Sequence, residues 1–304
     1  MLKNFIRPAM IFIPLGLGMF FPQAAVLSSS IRYLLMVMLF MVFLQLNLKE
    51  LKIRKSHFKL LIVNAIVGVV SYLAAWWITR DETLAKAAFF VGITPTATAA
   101  AVVMGFLNGN VGYVITSFVF TNVGIAFVMP PLMAWVCGDT SWDFMLRVFE
   151  SLFYLLVIPF SIAMVVRKLY PPAREWPKKT KTATFSLWSI TLFIIAAIAA
   201  DFFKNNPDVS LWIVGKTALI ALIICAVNFS AGYWLGEKDL RHEASQSLGQ
   251  KNTTLTIYLA LVYAGPLAAM GVISYVLWHN SYNAIQFFLH DRKKNQLADS
   301  GHVK

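Results

Sequence analysis

The sequence predicts an all-α integral membrane protein. Ten transmembrane helices are expected, in two inverted five-helix repeats, with broken helices 4 and 9 crossing near the bilayer midplane. Three observations predict it: an apolar excess too large for a soluble surface, ten apolar runs of spanning length, and basic residues gathered between alternate runs. Of the 304 residues, 59% are hydrophobic and 13% are charged, and the mean hydropathy is +0.68. Soluble domains hold roughly 45–50% apolar and about 25% charged residues. This composition excludes a simple soluble enzyme, a disordered chain and a disulfide scaffold. Cys137 and Cys225 have no metal-ligand spacing.

A helix crosses a bilayer with about 20 apolar residues. The runs 9–27, 31–48, 58–79, 84–107, 110–137, 144–166, 184–203, 211–235, 243–264 and 265–289 satisfy that length. The first lacks a small-residue cleavage site and leads straight into further spans, so no cleavable leader is expected. The net charge of +12 is distributed by topology. With the N-terminus inside, nineteen Lys and Arg fall on the inner side: Lys3 and Arg7, the run from Lys49 to Lys59, the 167–181 loop, Lys238 and Arg241, and the tail from Arg292. Six fall outside: Arg32, Arg80, Lys86, Arg147, Lys204 and Lys216. That asymmetry puts both termini in the cytoplasm and makes nucleic acid an unexpected partner; the membrane expected is a bacterial-type inner membrane. The chain then divides near 138, with five spans in 1–137 and five in 138–304, and two odd-numbered halves insert with opposite topology.

Two spans are interrupted. In LAKAAFFVGITPTATAAAVVMGFL (84–107), Pro95 removes a backbone donor, and Thr94, Thr96 and Thr98 surround it. A packed proline kink is one reading; a polar cavity lined by freed carbonyls and hydroxyls is the other. In HEASQSLGQKNTTLTIYLALVYA (242–264), the first half is polar from Ser245 to Thr254. Either 237–252 is a cytoplasmic loop and a helix begins at Thr253, or the span itself is broken. A helix beginning at 253 would break both the charge rule and the even count. Each interrupted span is the fourth of its half, and such pairs mark a midplane binding site in secondary transporters. The half-helix N-termini would suit a carboxylate or similar anion.

These residues resemble the bile acid:sodium symporter family. The resemblance rests on ITPTATAAAVVMGFLNGNVGYVITSFVFTN (93–122), SLGQKNTTL (247–255), VLWHNS (276–281) and LFMVFLQLNL (39–48), in order along nearly the whole chain. It implies a panel and a core domain interleaved in one membrane unit, and an organic-anion cargo. It carries the family's substrate contacts onto Thr98 and Asn252; Thr96 and Thr253 beside them complete the expected substrate-binding set. It also implies degenerate sodium sites. The family's ligand positions fall on Ala100, Ala101, Val114 and Phe118, its shared Glu on Ser247 and its Gln on Lys251, next to Gln250; its span-3 Gln has no clear counterpart. Alanine, valine and phenylalanine offer a sodium ion no oxygen, and an ammonium repels it.

The expected function is therefore sodium-independent transport of a small or amphipathic organic anion by alternating access, with Lys251 at the vacated cation position. Lys251 acts there either as a fixed charge or by releasing and regaining a proton. A lysine at mid-bilayer costs about 3 kcal/mol or more on insertion scales, so it needs a role or a partner. Glu243 and Ser247, two turns and one turn earlier on the same helical face, are the candidates to approach it. Snorkelling to the cytoplasmic surface is the role-free alternative. A sodium symporter with rearranged ligands and a non-transporting sensor or scaffold are the competing functions. No enzyme activity, cofactor or metal site is expected: His242-Glu243 lacks a second histidine at 246, and no phosphate loop is present. Trp278, His279 and Asn280 read as a polar knot between helices or as part of the path, and Glu150 as a membrane-edge residue or a cavity wall.

Overall fold

A computed structural model describes residues 13–47, 51–207 and 209–301. Lys3, Arg7, Lys49 and Lys304 lie outside the described residues, as does the start of the first expected span. The described residues are mostly helical, and the one β pairing among them is an isolated bridge. Helix α1 covers 13–20, followed by a 3-10 stretch, Pro22–Ser29. Then come α2 (Ser30–Gln45), α3 (Lys55–Thr79), α4 (Glu82–Ile93), α5 (Ala99–Phe106), α6 (Val111–Cys137) and α7 (Trp142–Leu169). A short α8 (Trp176–Lys179) precedes α9 (Lys181–Asn205), α10 (Trp212–Leu235), α11 (Arg241–Gly249), α12 (Thr253–Tyr263) and α13 (Pro266–Gly301). Among the described residues, six helical segments are long and apolar enough to cross a membrane: Pro22–Gln45, Lys55–Thr79, Val111–Cys137, Trp142–Leu169, Ala183–Asn205 and Trp212–Leu235.

The helix ends follow from local chemistry. The Asp81 carboxylate accepts from Thr83 N at 2.9 Å and Leu84 N at 3.2 Å, starting α4. Asn110 starts α6 by accepting from Tyr113 N at 3.0 Å, and Ser141 starts α7 by accepting from Phe144 N at 3.2 Å. Gly138, at φ 77°, ends α6 in the left-handed region that glycine enters without penalty.

Packing separates two groups of helices. In one, α2 lies against α7 and α9, and Pro22–Ser29 against α9. In the other, α3, α4, α10, α11 and α13 pack on one another. Helix α6 touches α3 and α7, and thus both groups. Helices α3 and α4 cross in close contact. A Cβ on Gly92 would fall 2.8 Å from Gly68 Cα, and one on Gly68 would fall 2.9 Å from Ile93 Cβ. Two facing glycines let these backbones touch.

The loops sort by end as the charge pattern requires. Arg54 pairs with Glu237 at 2.7 Å, Asn110 N donates to the Glu243 carboxylate at 2.8 Å, and Asn108 bonds His290 at 3.3 Å. These are all positions of the basic end. Asp81, Ser210, Trp212 and Lys216 meet around one hollow at the opposite end.

Candidate functional site

The site begins with the two breaks. Helix α4 stops at Ile93 and α5 starts at Ala99; α11 stops at Gly249 and α12 starts at Thr253. The intervening strands of backbone pair with each other, residue Thr96 opposite Lys251 in antiparallel register. Ala97 N donates to Gln250 O, and Asn252 N donates to Pro95 O, both at 2.8 Å. Four backbone groups that a break would leave orphaned thus satisfy one another, as buried backbone requires. The reading of 237–252 as a loop is corrected here: α11 is a buried helix from Arg241, carrying Ser245, Gln246 and Ser247 into the core.

Helix α6 fastens the junction from the side. Asn122 Nδ2 donates to Thr96 O and to Phe118 O at 2.8 Å each, and its Oδ1 accepts from Asn252 Nδ2 at 3.3 Å. Thr121 Oγ1 accepts from Thr96 N at 3.3 Å and donates to Ser117 O at 2.8 Å. The Thr96 hydroxyl donates to Ser247 O at 2.6 Å. Thr96 is therefore a buried lock between the breaks, with its hydroxyl committed to backbone.

The end of α4 supplies the other half of the site. The last carbonyls of any α-helix have no intrahelical donor and carry partial negative charge. Thr94 Oγ1 donates to Phe90 O at 2.5 Å. Asn64 Nδ2, from α3, donates to Ile93 O at 2.9 Å. Lys251 Nζ donates to Gly92 O at 3.3 Å and also to Asn64 Oδ1. The lysine side chain is 2% exposed, so it does not snorkel. An ammonium at a helix C-terminus is the favourable pairing of charge and dipole.

The expected partners of Lys251 are corrected by the break itself. Because α11 ends at Gly249, Lys251 leaves the helical face that Glu243 and Ser247 share. The Glu243 carboxylate instead receives Asn110 N. The Ser247 hydroxyl has no hydrogen-bond partner among the described residues, while its carbonyl takes Thr96. Gln250 turns to α13, where its Oε1 accepts from Asn283 Nδ2 at 2.6 Å.

Thr98 and Asn252 stand half-buried at the first turns of α5 and α12, and neither of these N-termini receives a side-chain cap. Thr253 is buried beside Asn252. Ala100 and Val114 are sealed in an apolar cluster with Leu60, Met104 and Leu248. Phe118 is buried against Phe43, ring centres 6.1 Å apart. Ala101 packs at the edge of the same cluster as Ala100.

Trp278 Nε1 donates to Ala218 O at 2.8 Å, and Asn280 Nδ2 to Val276 O at 2.6 Å, so these two side chains tie α13 to α10 and to itself. His279 is buried with its ring edge-on to Tyr275. Glu150 is exposed. The sequence reading missed Asn64, Thr121 and Asn122. Asn64 was the one carboxamide in the 58–79 run, and that was its available signal.

A 25% identity over 202 residues relates the chain to sodium/bile acid cotransporter 7 of Mus musculus. The match takes in 63% of this chain and 57% of that protein's length. The pattern of the SBF-like CPA transporter family matches residues 6–292, nearly the whole chain. The chain belongs to that family. As an SBF-like transporter it is an integral membrane protein of the transporter class, and its apolar helices agree. A cavity of about 970 Å³ lies elsewhere, between α10 and α13 with the ends of α5 and α11 at its edge, and includes none of Thr98, Lys251 or Asn252.

Proposed function

We propose that this SBF-like transporter carries a small or amphipathic organic anion by alternating access, without sodium. One observation carries the reading: the Lys251 ammonium sits against the α4 C-terminus, held by Asn64 and Gly92, beside the paired breaks. Ten spans in two inverted repeats then place the junction near the bilayer midplane, with both termini cytoplasmic in a bacterial-type inner membrane. The α2–α7–α9 group acts as panel, and the group around α3, α4, α10, α11 and α13 as core. A carboxylate cargo binds at Thr98, Asn252 and the N-termini of α5 and α12, which carry no side-chain cap and whose dipoles favour an anion.

Two features support sodium independence. The positions that resemble one cation site, Ala100, Ala101, Val114 and Phe118, are filled with hydrocarbon. The position of the other is taken by an amine, which repels a metal cation. Lys251 donates to a carboxamide oxygen and a helix-end carbonyl, contacts that an ammonium and a neutral amine both make, so the site fits the fixed-charge form and the proton-exchanging form alike. The cotransporter named for sodium and bile acid shares a quarter of the aligned residues, and a bile-acid-like amphipathic anion is one cargo to include in the test.

Purified protein in vesicles should accumulate or exchange a radiolabelled carboxylate equally in sodium and in choline buffer. Flux that strictly requires sodium would overturn the proposal and favour rearranged ion ligands. No flux of any anion, from protein shown to be folded, would favour a sensor or scaffold.

A further inference from the structure

The large cavity between α10 and α13 is separate from the paired breaks, and nothing in the transport reading uses it. Its walls are apolar and aromatic: Leu222, Ala226 and Trp234 on α10, Ile285 and Leu289 on α13. Its floor is the close ring pair Phe229–Tyr282, 4.1 Å between centres. Trp234 is 73% exposed and Ile285 56%, so the groove opens sideways from the helix pair. Leu222 and Trp234, like Trp278 and His290, are twelve positions apart, about 18 Å along a helix. That is close to half of a hydrocarbon core about 30 Å thick. The groove is one leaflet deep.

Its chemistry changes at one end only. Asp239, His242 and Glu243 line the mouth, at the end where Arg54 meets Glu237, and of the two carboxylates Glu243 is already engaged by Asn110 N while Asp239 is exposed. Beside them Lys238 is exposed, and the Arg241 guanidinium lies over the Tyr233 and Trp234 rings at 5.5 and 5.9 Å. Arg241 Nε is buried with no hydrogen-bond partner among the described residues. A carboxylate flanked by two cations complements a headgroup that carries an ammonium and a phosphate. A deep apolar slot under such a mouth fits an acyl chain.

We propose that the α10–α13 groove binds one phospholipid with an ethanolamine headgroup, its acyl chain between the helices, its phosphate at Arg241 and Lys238, and its ammonium at Asp239. That the leaflet is the cytoplasmic one rests on the orientation proposed above; binding itself does not, and neither needs the transport reading.

Native mass spectrometry of the delipidated, detergent-purified chain tests it. Phosphatidylethanolamine should remain bound one to one, preferred about tenfold over phosphatidylglycerol of the same chains, the scale of one charge-assisted contact. Ser230→Trp, which fills the slot, should lower retention about tenfold or more, while Ser230→Ala retains the lipid. Asp239→Asn changes an exposed side chain and leaves folding alone; it should erase the headgroup preference and keep the chain bound. Equal retention of both lipids by the unaltered protein, or undiminished preference in Asp239→Asn, would overturn the proposal. So would a dimer that Ser230→Trp dissociates, because the occupant would then be a second copy.

Discussion

Asn64 and Lys251 are 187 residues apart in sequence and hydrogen-bonded to each other in the buried core. The same carboxamide holds Ile93 O at 2.9 Å, so one side chain links α3, the end of α4 and the second break.

That double use predicts a steep cost for Asn64→Leu. The substitution removes an acceptor from a buried ammonium and a donor from a buried carbonyl. Loss of one partner of a buried charge costs about 3–5 kcal/mol, and an orphaned carbonyl adds about 1–3 kcal/mol. Asn64→Asp also loses the donor to Ile93 O, but it keeps the acceptor for Lys251 and supplies a countercharge, so it should lose less than Leu. Melting of the detergent-solubilised variants should rank unaltered, Asp, then Leu. A Leu variant as stable as the unaltered protein would mean that the contact holds nothing.

Gly68 and Gly92 should tolerate no added methyl. A Cβ on Gly92 would lie 2.8 Å from Gly68 Cα, and one on Gly68 would lie 2.9 Å from Ile93 Cβ and 3.1 Å from Ile93 N, atoms that cannot swing aside as the far end of a side chain does. Gly92→Ala and Gly68→Ala should each destabilise by about 1–3 kcal/mol, read as a lowered melting temperature. Gly215→Ala, which meets only Trp212 at 3.8 Å, is the matched control and should melt like the unaltered protein.

Much of the architecture was legible because lipid imposes a length and a charge rule on every span. The runs 31–48, 58–79 and 144–166 reappear as α2, α3 and α7, and the basic residues of Arg54, Lys238 and Arg241 do gather at one end. Both breaks were visible as well, one from Pro95 and the other from the polar run before Thr253. The partners across the breaks were not. Helical spacing placed Glu243 near Lys251, but spacing holds only while the helix continues, and α11 ends two residues before the lysine. Asn64 and Asn122 are single carboxamides on long apolar helices, and their role is set by which helix end they meet. No local pattern encodes that meeting.

The breaks should depend on their mutual pairing more than on the proline ring. Pro95 contributes its carbonyl to Asn252 N, and any residue has a carbonyl. Pro95→Ala should therefore keep the junction and cost little stability. Ala97→Pro removes the N–H that Gln250 O receives at 2.8 Å and should disrupt the junction, with loss of transport and a lower melting temperature. If Pro95→Ala proves the more damaging of the two, the ring and not the bridge enforces the break.

Asn122 offers a way to separate holding the junction from binding cargo. Asn122→Ala leaves Thr96 O without its side-chain donor and Asn252 without its acceptor, while α6 keeps its own ladder. The chain should still fold, at a cost of about 1–3 kcal/mol. Because Asn252 is freed beside the proposed cargo site, KM for a carboxylate should rise more than kcat falls. A fall in kcat alone would assign Asn122 to the conformational step.

Lys251→Gln distinguishes the two roles of the amine. If Lys251 is a fixed cation, flux in the unaltered protein should change little with pH where the protein stays folded, and the glutamine variant should lose flux at every pH. If the amine gives up and regains a proton during the cycle, the unaltered protein should respond to pH and to an imposed proton gradient, and the variant should respond to neither. Glutamine can still donate to Asn64 or Gly92, so the variant should fold and its melting temperature can be checked first. A variant with unaltered flux and pH response would make the lysine incidental to transport, leaving it a cap on α4. Proteoliposome uptake measured with and without a gradient decides among these outcomes.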